Sequence, residues 1–115
     1  MSEYGELMHT LFLLVAAHAL CDYPLQGDWL SKAKNPTLDL VAGEMIWPLA
    51  LLSHATIHAA AVLFITGSPW LAACEFFTHA LIDYEKCRGL LTYNGDQILH
   101  LLCKALWVAL LAVRP

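Results

Sequence analysis

The sequence predicts an all-α fold: a four-helix transmembrane bundle with a polar His/Asp site in its interior. Hydrophobic residues make up 59% of the 115-residue chain and charged residues 14%, whereas soluble domains average roughly 45–50% and about 25%. Four apolar segments stand out, and histidines or carboxylates interrupt each of them at helical spacing. The length suits one domain, so we expect residues 1–115 to form a single helical membrane domain.

The first two apolar segments span residues 7–23 and 45–66. The first ends at Pro24, because proline cannot continue a helix. The second carries Pro48 in its first turn, where proline is tolerated. Between them, the 24–44 loop is rich in turn-forming residues, and the sequence leaves open whether it holds a short helix.

The other two segments lie in the second half of the chain. The third follows the break at 67–69, where Ser68 is placed to cap a helix, and it runs to about Cys87 with Gly89 as its stop. We predict a turn at 93–95 and a fourth helix over 96–113. Each segment is close to the ~20 residues that cross a bilayer core.

Charge and cysteine content exclude several classes of protein. The net charge of −4 and the absence of a Lys/Arg run indicate no nucleic-acid partner. No basic stretch precedes the first segment, so we do not expect a cleaved signal peptide. The bases concentrate in the 24–44 and 88–95 loops, which favours a cytoplasmic location for both. No CxxC occurs, and we interpret the four cysteines as buried thiols.

Polar residues recur four apart within each apolar segment, which stacks their side chains on one helix face. They are His18 and Asp22, His54 and His58, the series Glu75, His79 and Asp83, and finally Asp96 and His100. Measured from the two loops, most of them fall at one depth, while His58 and Glu75 are predicted to form a deeper tier. Of the six histidines, only His9 has no histidine or carboxylate four residues away.

Imidazole and carboxylate groups together are ligands that zinc, manganese and iron bind. We therefore predict a divalent-metal site, zinc first, with these ligands: His18, Asp22, His54, His58, His79, Asp83, Asp96 and His100. In a metal-dependent hydrolase, Glu75 or Asp22 would act as the catalytic general base. A site near the bilayer interface would suit a lipid or another amphiphilic substrate.

A non-catalytic function is the alternative, and the sequence leaves open whether the protein is an enzyme. The same His and Asp groups could form a buried polar network that holds the helices together. They could also pass protons or metal ions, or serve a structural or interaction protein. Lys104 is placed either to pair with Glu75 or to extend toward the membrane surface. A homo-oligomer is left open, and the lipid bilayer is the expected partner.

Several motifs resemble a bacterial and phage family known as domain-of-unknown-function family 3307. The likeness rests on the segment from His18 to Gln26, on Asp28-Trp29-Leu30 with Lys34, and on the element from His79 to Asp83. His54, Lys86 and the segment from Asp96 to His100 extend it over nearly the whole chain. The resemblance implies a small multi-helical membrane protein, and it implies no particular reaction. We expect a multi-pass protein of the bacterial inner membrane.

Overall fold

Helices account for all the regular structure in residues 2–114, the part of the chain that the computed structural model describes. No strand occurs within this range, so the all-α prediction is confirmed. The helices are α1 (Glu3–Asp22), α2 (Gly27–Ala33), α3 (Trp47–Thr66), α4 (Pro69–Cys87) and α5 (Tyr93–Ala112).

Capping side chains set where the long helices begin. Ser2 accepts a hydrogen bond from the Gly5 amide at 3.0 Å, so α1 begins four residues earlier than predicted. Thr92 caps α5 in the same way at 2.9 Å, so the predicted turn at 93–95 is instead the first turn of that helix. Ser68 caps α4 as expected. These oxygens satisfy amide groups that have no partner within the helix.

The α2 helix lies within the 24–44 loop, where the sequence left the question open. It has seven residues and packs on α3. Lys34 is its C-cap residue, and this side chain is only 5% exposed. The short helix therefore directs a lysine from the loop into the interior of the protein.

The four long helices form a ring in the order α1, α3, α4, α5. The α1 helix packs against α3 and α5, and α4 packs against the same two neighbours from the opposite side. This arrangement brings the polar face of every long helix toward a common centre. The predicted bundle with a polar interior is therefore present.

The bundle is polar inside and apolar outside. Its buried polar residues outnumber its buried apolar ones, while Phe64 is 91% exposed and both Phe12 and Phe77 are 70% exposed. In water such a surface would be costly, and lipid removes that cost because it is as apolar as the side chains it contacts. The distribution indicates a membrane protein.

Of the four predicted membrane-spanning helices, three are long and apolar enough to cross a membrane within residues 2–114. They are α1, α3 and α5. The α4 helix has a suitable length but includes Glu75, Asp83, Glu85 and Lys86, which lower its hydropathy.

All four cysteines are free thiols. Cys21 is buried as expected, and the other three are half-buried.

A buried apolar cluster lies at one end of the bundle. It consists of Leu14, Val62, Leu71 and Trp107. Each of these four residues lies about one turn beyond a polar residue of its helix, on the side away from the 24–44 and 88–95 loops. The apolar cluster therefore closes the polar interior at its far end.

Candidate metal centre

Five histidine side chains converge at the centre of the ring. His18 comes from α1, His54 and His58 from α3, His79 from α4 and His100 from α5, and none is more than 3% exposed. The His79 ring stacks between two others, with centroid distances of 3.7 Å to His58 and 4.2 Å to His100. Histidines from all four long helices therefore meet in one cluster of rings.

Asp22 lies opposite three of the imidazoles. Its Oδ1 atom is 3.1 Å from His54 Nε2, 3.0 Å from His58 Nε2 and 3.9 Å from His79 Nε2. One ligand atom from each of these four residues lies within 4.8 Å of all the others. This group, which we name the Asp22 subsite, could hold a metal ion.

Asp83 organises a second half of the cluster. Its Oδ1 atom is 3.0 Å from His100 Nε2, and its Oδ2 atom is 3.4 Å from the Nε2 atoms of both His54 and His79. His79, Asp83 and His100 form a second group that could hold an ion, which we name the Asp83 subsite. His79 belongs to both groups, but an imidazole nitrogen has one lone pair and binds one ion at a time.

Lys34 reaches the same carboxylate, a contact that the pattern of the chain did not predict. Its Nζ atom donates a hydrogen bond to Asp83 Oδ2 at 2.6 Å. Sequence reasoning counted Lys34 only as a loop base, because the surrounding residues are turn formers. The one signal for it was the family resemblance, in which this lysine takes part.

Two predicted ligands, His18 and Asp96, adjoin the two subsites without belonging to either group. His18 Nε2 is 3.4 Å from Asp22 Oδ2, and Asp96 Oδ1 is 3.3 Å from His100 Nε2. Gln97 links them, since its Oε1 atom lies 3.0 Å from His18 Nε2, and its amide nitrogen donates to Asp96 Oδ2 at 3.2 Å and to Asp22 Oδ2 at 2.8 Å. The role of Gln97 was missed, although it follows Asp96 directly in the chain.

Glu75 occupies the deeper level with partners of its own. Lys104 donates to its Oε1 atom, so of the two placements left open for this lysine the pairing with Glu75 is the one present. Trp107 donates to Oε2 at 3.0 Å. His79 Nδ1 lies 3.5 Å from Oε1. His58 was expected at this level too, but it contacts Asp22 and so lies with the upper histidines.

Other charged residues lie outside the site. His9 is exposed on α1, consistent with its lack of a neighbour four residues away. Asp28 and Lys32 form an exposed pair at 3.0 Å on the surface of α2. The buried charged and imidazole side chains among residues 2–114 therefore come from the facing sides of the four long helices and from Lys34.

The buried charges do not balance. Four carboxylates, those of Asp22, Glu75, Asp83 and Asp96, share the interior with two ammonium groups, those of Lys34 and Lys104. If every imidazole is neutral, the carboxylates exceed the ammonium groups by two charges, and burying an uncompensated charge is costly. In addition, the buried His79 Nε2 has no hydrogen-bond partner among residues 2–114. One divalent cation would balance the charge and satisfy this nitrogen.

Comparisons with known proteins give one result. No curated protein and no solved structure matches the chain. The sequence model of one family, described as protein of unknown function DUF3307, matches residues 10–113. This match confirms the resemblance drawn from the histidine and aspartate motifs. The chain therefore belongs to the DUF3307 family of proteins of unknown function.

Proposed function

We propose that this protein is a multi-pass membrane protein that binds one divalent transition-metal ion and uses it for hydrolysis at the membrane interface. The observation that carries the proposal is the charge imbalance of the interior. Buried carboxylates outnumber buried ammonium groups by two in an interior lined by imidazole nitrogens, so one divalent ion would neutralise the excess when the imidazoles are neutral.

The Asp22 subsite is the better place for this ion. It offers three imidazole nitrogens and one carboxylate oxygen, from His54, His58, His79 and Asp22. Zinc binds such nitrogen and oxygen donors in tetrahedral sites, and manganese and iron accept them as well. Zinc is therefore the first choice, with manganese and iron as alternatives.

Hydrolysis follows from the ligand type and from the surroundings. With the three imidazoles as ligands and Asp22 not bound to it, the ion would keep a fourth position for a water and make that water a stronger acid, which would supply a nucleophile at neutral pH. Of the two predicted general bases, Asp22 is better placed, because it faces the three imidazoles of the subsite, whereas Glu75 lies at the deeper level beside Lys104 and Trp107. Asp22 has a second oxygen on the side of His18 and Gln97.

The membrane location sets the class of substrate. We propose that α4 crosses the bilayer together with the other three long helices. Its polar residues Glu75, His79 and Asp83 are buried against those helices and need not face lipid. The metal site then lies near the 24–44 and 88–95 loops, which we place in the cytoplasm. A lipid head group or another amphiphile can reach this depth from the interface.

Two other functions remain alternatives. Passage of protons or ions through the bundle is less well supported, because the apolar cluster of Leu14, Val62, Leu71 and Trp107 closes the polar interior. A polar network without an ion is favoured by one observation: Asp22 already has hydrogen-bond partners in His54, His58 and Gln97.

Elemental analysis of detergent-purified protein tests the proposal. Wild type is compared with the double variant His79→Ala/Asp83→Ala, which removes donors from both subsites. His9→Ala is the matched control, because this histidine is exposed on α1. We expect about one equivalent of zinc, manganese or iron in wild type and in the control, and loss of it in the double variant.

The outcome separates the candidates. If folded wild type takes up no metal even after incubation with zinc, manganese or iron, the metal proposal fails and the polar network remains. If it binds metal, hydrolysis is tested by incubating the loaded protein with lipids of different head groups. The double variant serves as the inactive reference in that screen.

A further inference from the structure

We propose that Lys34 is a tethered cation that occupies the place of a second metal ion beside Asp83, so that the site takes one ion and excludes another. The inference rests on the metal site proposed above and adds a reason for its stoichiometry. It assigns a function to a loop lysine that the proposed chemistry does not use.

The Asp83 subsite has the donors of a metal site. His79, Asp83 and His100 place their ligand atoms within 4.8 Å of one another, and Asp96 Oδ1 is 3.3 Å from His100 Nε2. When His79 binds an ion in the Asp22 subsite, the other three side chains still supply one imidazole and two carboxylates. By donor type alone, the cluster has room for two ions.

An ammonium group already stands where the second ion would bind. Lys34 Nζ lies 2.6 Å from Asp83 Oδ2, and Lys34 and Asp83 are 5% and 2% exposed. A zinc ion binds a carboxylate oxygen at about 2.0–2.2 Å. Two cations that close to one carboxylate would repel each other strongly, because little water is present to screen them.

The charge count leads to the same conclusion. With Lys34 in place, one divalent ion brings the four carboxylates and two lysines to neutrality, and a second ion would leave two positive charges in excess. Without the Lys34 charge, one bound ion leaves the interior with one negative charge in excess, and Asp83 has no lysine partner. The remaining negative charge then favours entry of a second cation.

The origin of Lys34 adds a structural consequence. Lys34 is the C-cap residue of α2. This short helix packs on α3. A second ion can enter wild type only if the ammonium group leaves Asp83. The lysine would then move out with the end of α2, toward the loop side.

Metal stoichiometry of the full chain tests this inference. Wild type, Lys34→Met and Lys32→Met are purified in detergent, incubated with zinc, freed of excess ion and analysed for metal. Lys32→Met is a matched control. It removes the same charge two residues earlier in the chain, where Lys32 forms an exposed ion pair with Asp28. We expect about one equivalent in wild type and in Lys32→Met, and a twofold rise in Lys34→Met.

Each result has a separate meaning. One equivalent in both wild type and folded Lys34→Met would overturn the role of Lys34 and leave the metal proposal intact. Two equivalents in wild type would overturn it as well, because Lys34 would then exclude nothing. Absence of metal from wild type would overturn the metal proposal, and the inference with it.

A measurement on wild type covers the case in which Lys34→Met does not fold. An amine-reactive reagent is applied while zinc is raised beyond one equivalent, and labelled lysines are located by mass spectrometry. We expect Lys34 to stay protected at one equivalent, and we expect any weak binding of a second ion at high zinc to be accompanied by labelling of Lys34. Lys104, also buried, should stay protected throughout, and exposed Lys32 should label from the start. Unchanged protection of Lys34 while a second ion binds would overturn the inference.

Discussion

His79 and Glu75 lie one turn apart on α4, with His79 Nδ1 3.5 Å from Glu75 Oε1. Lys104 and Trp107 donate hydrogen bonds to the two oxygens of Glu75, so this carboxylate is held in one orientation. Metal-bound histidines commonly place their second ring nitrogen against a carboxylate, which orients the ring and strengthens the ligand. Because Glu75 faces Nδ1 of His79, we expect it to act as such a positioning group when an ion binds to Nε2 of the same ring.

Glu75→Gln should therefore weaken metal binding without removing any ligand of the Asp22 subsite. We expect the affinity for zinc to fall about 10- to 100-fold, the usual effect of losing such a partner. The measurement is a competition titration against a coloured chelator. Glu85→Gln, the same change near the end of α4, is the control and should bind like wild type. If Glu75→Gln binds zinc as tightly as Glu85→Gln and wild type do, Glu75 has no positioning role.

Lys104→Met should destabilise the bundle, because it leaves the Glu75 carboxylate buried and unpaired. Breaking a buried ion pair in this way costs about 3–5 kcal/mol. Unfolding in detergent measures the loss. The double variant Lys104→Met/Glu75→Met removes both charges and should recover most of the stability. If the double variant is as unstable as the single one, packing of the Lys104 side chain matters more than the charge of its partner.

Asp22→Asn keeps the size of the side chain but removes the charge that faces His54, His58 and His79. An uncharged amide is a poor metal ligand, so we expect the variant to lose at least about tenfold in zinc affinity. The same chelator competition measures it. Asp28→Asn, on the exposed surface of α2, is the matched control. Retention of wild-type affinity by Asp22→Asn would exclude this carboxylate as a ligand.

Removal of metal should lower the stability of wild type but not of a variant without the site. An ion present at 100 times its dissociation constant stabilises the folded state by about 2.7 kcal/mol. We expect a strong chelator to lower the Tm of wild type and of His9→Ala, and to leave that of His79→Ala/Asp83→Ala unchanged. A chelator effect of equal size in the double variant would show that the ion binds elsewhere.

The outer face of α4 gives a test of its membrane location. Phe77 is 70% exposed at the middle of this helix. If the face contacts lipid, Phe77→Arg should cost about 2.5–3.5 kcal/mol and reduce the folded protein recovered from the membrane fraction. Leu90→Arg, in the turn before α5, is the control, because Leu90 is 64% exposed outside any helix. Equal recovery of both variants would place this face of α4 in water.

Helical periodicity made much of the polar interior predictable. A spacing of four residues puts His18 with Asp22, and His79 with Asp83, on one face whatever the helices pack against. Costly ionisable groups on apolar helices turn toward each other, so their convergence could also be expected. The partition of the cluster into two subsites could not, because it depends on how the four helices are rotated about their axes.

The sequence by itself determined that the chain is helical, that its outer surface is apolar and that its histidines and carboxylates share an interior. These properties depend on composition and local spacing, which are fixed before the chain folds. Only the tertiary structure decided that Lys34 binds Asp83, a partner 49 residues away. It also decided that His58 lies with Asp22 and that Gln97 links Asp22 to Asp96. Such contacts join different helices, and no local pattern encodes them, because they arise only when packing brings distant segments together.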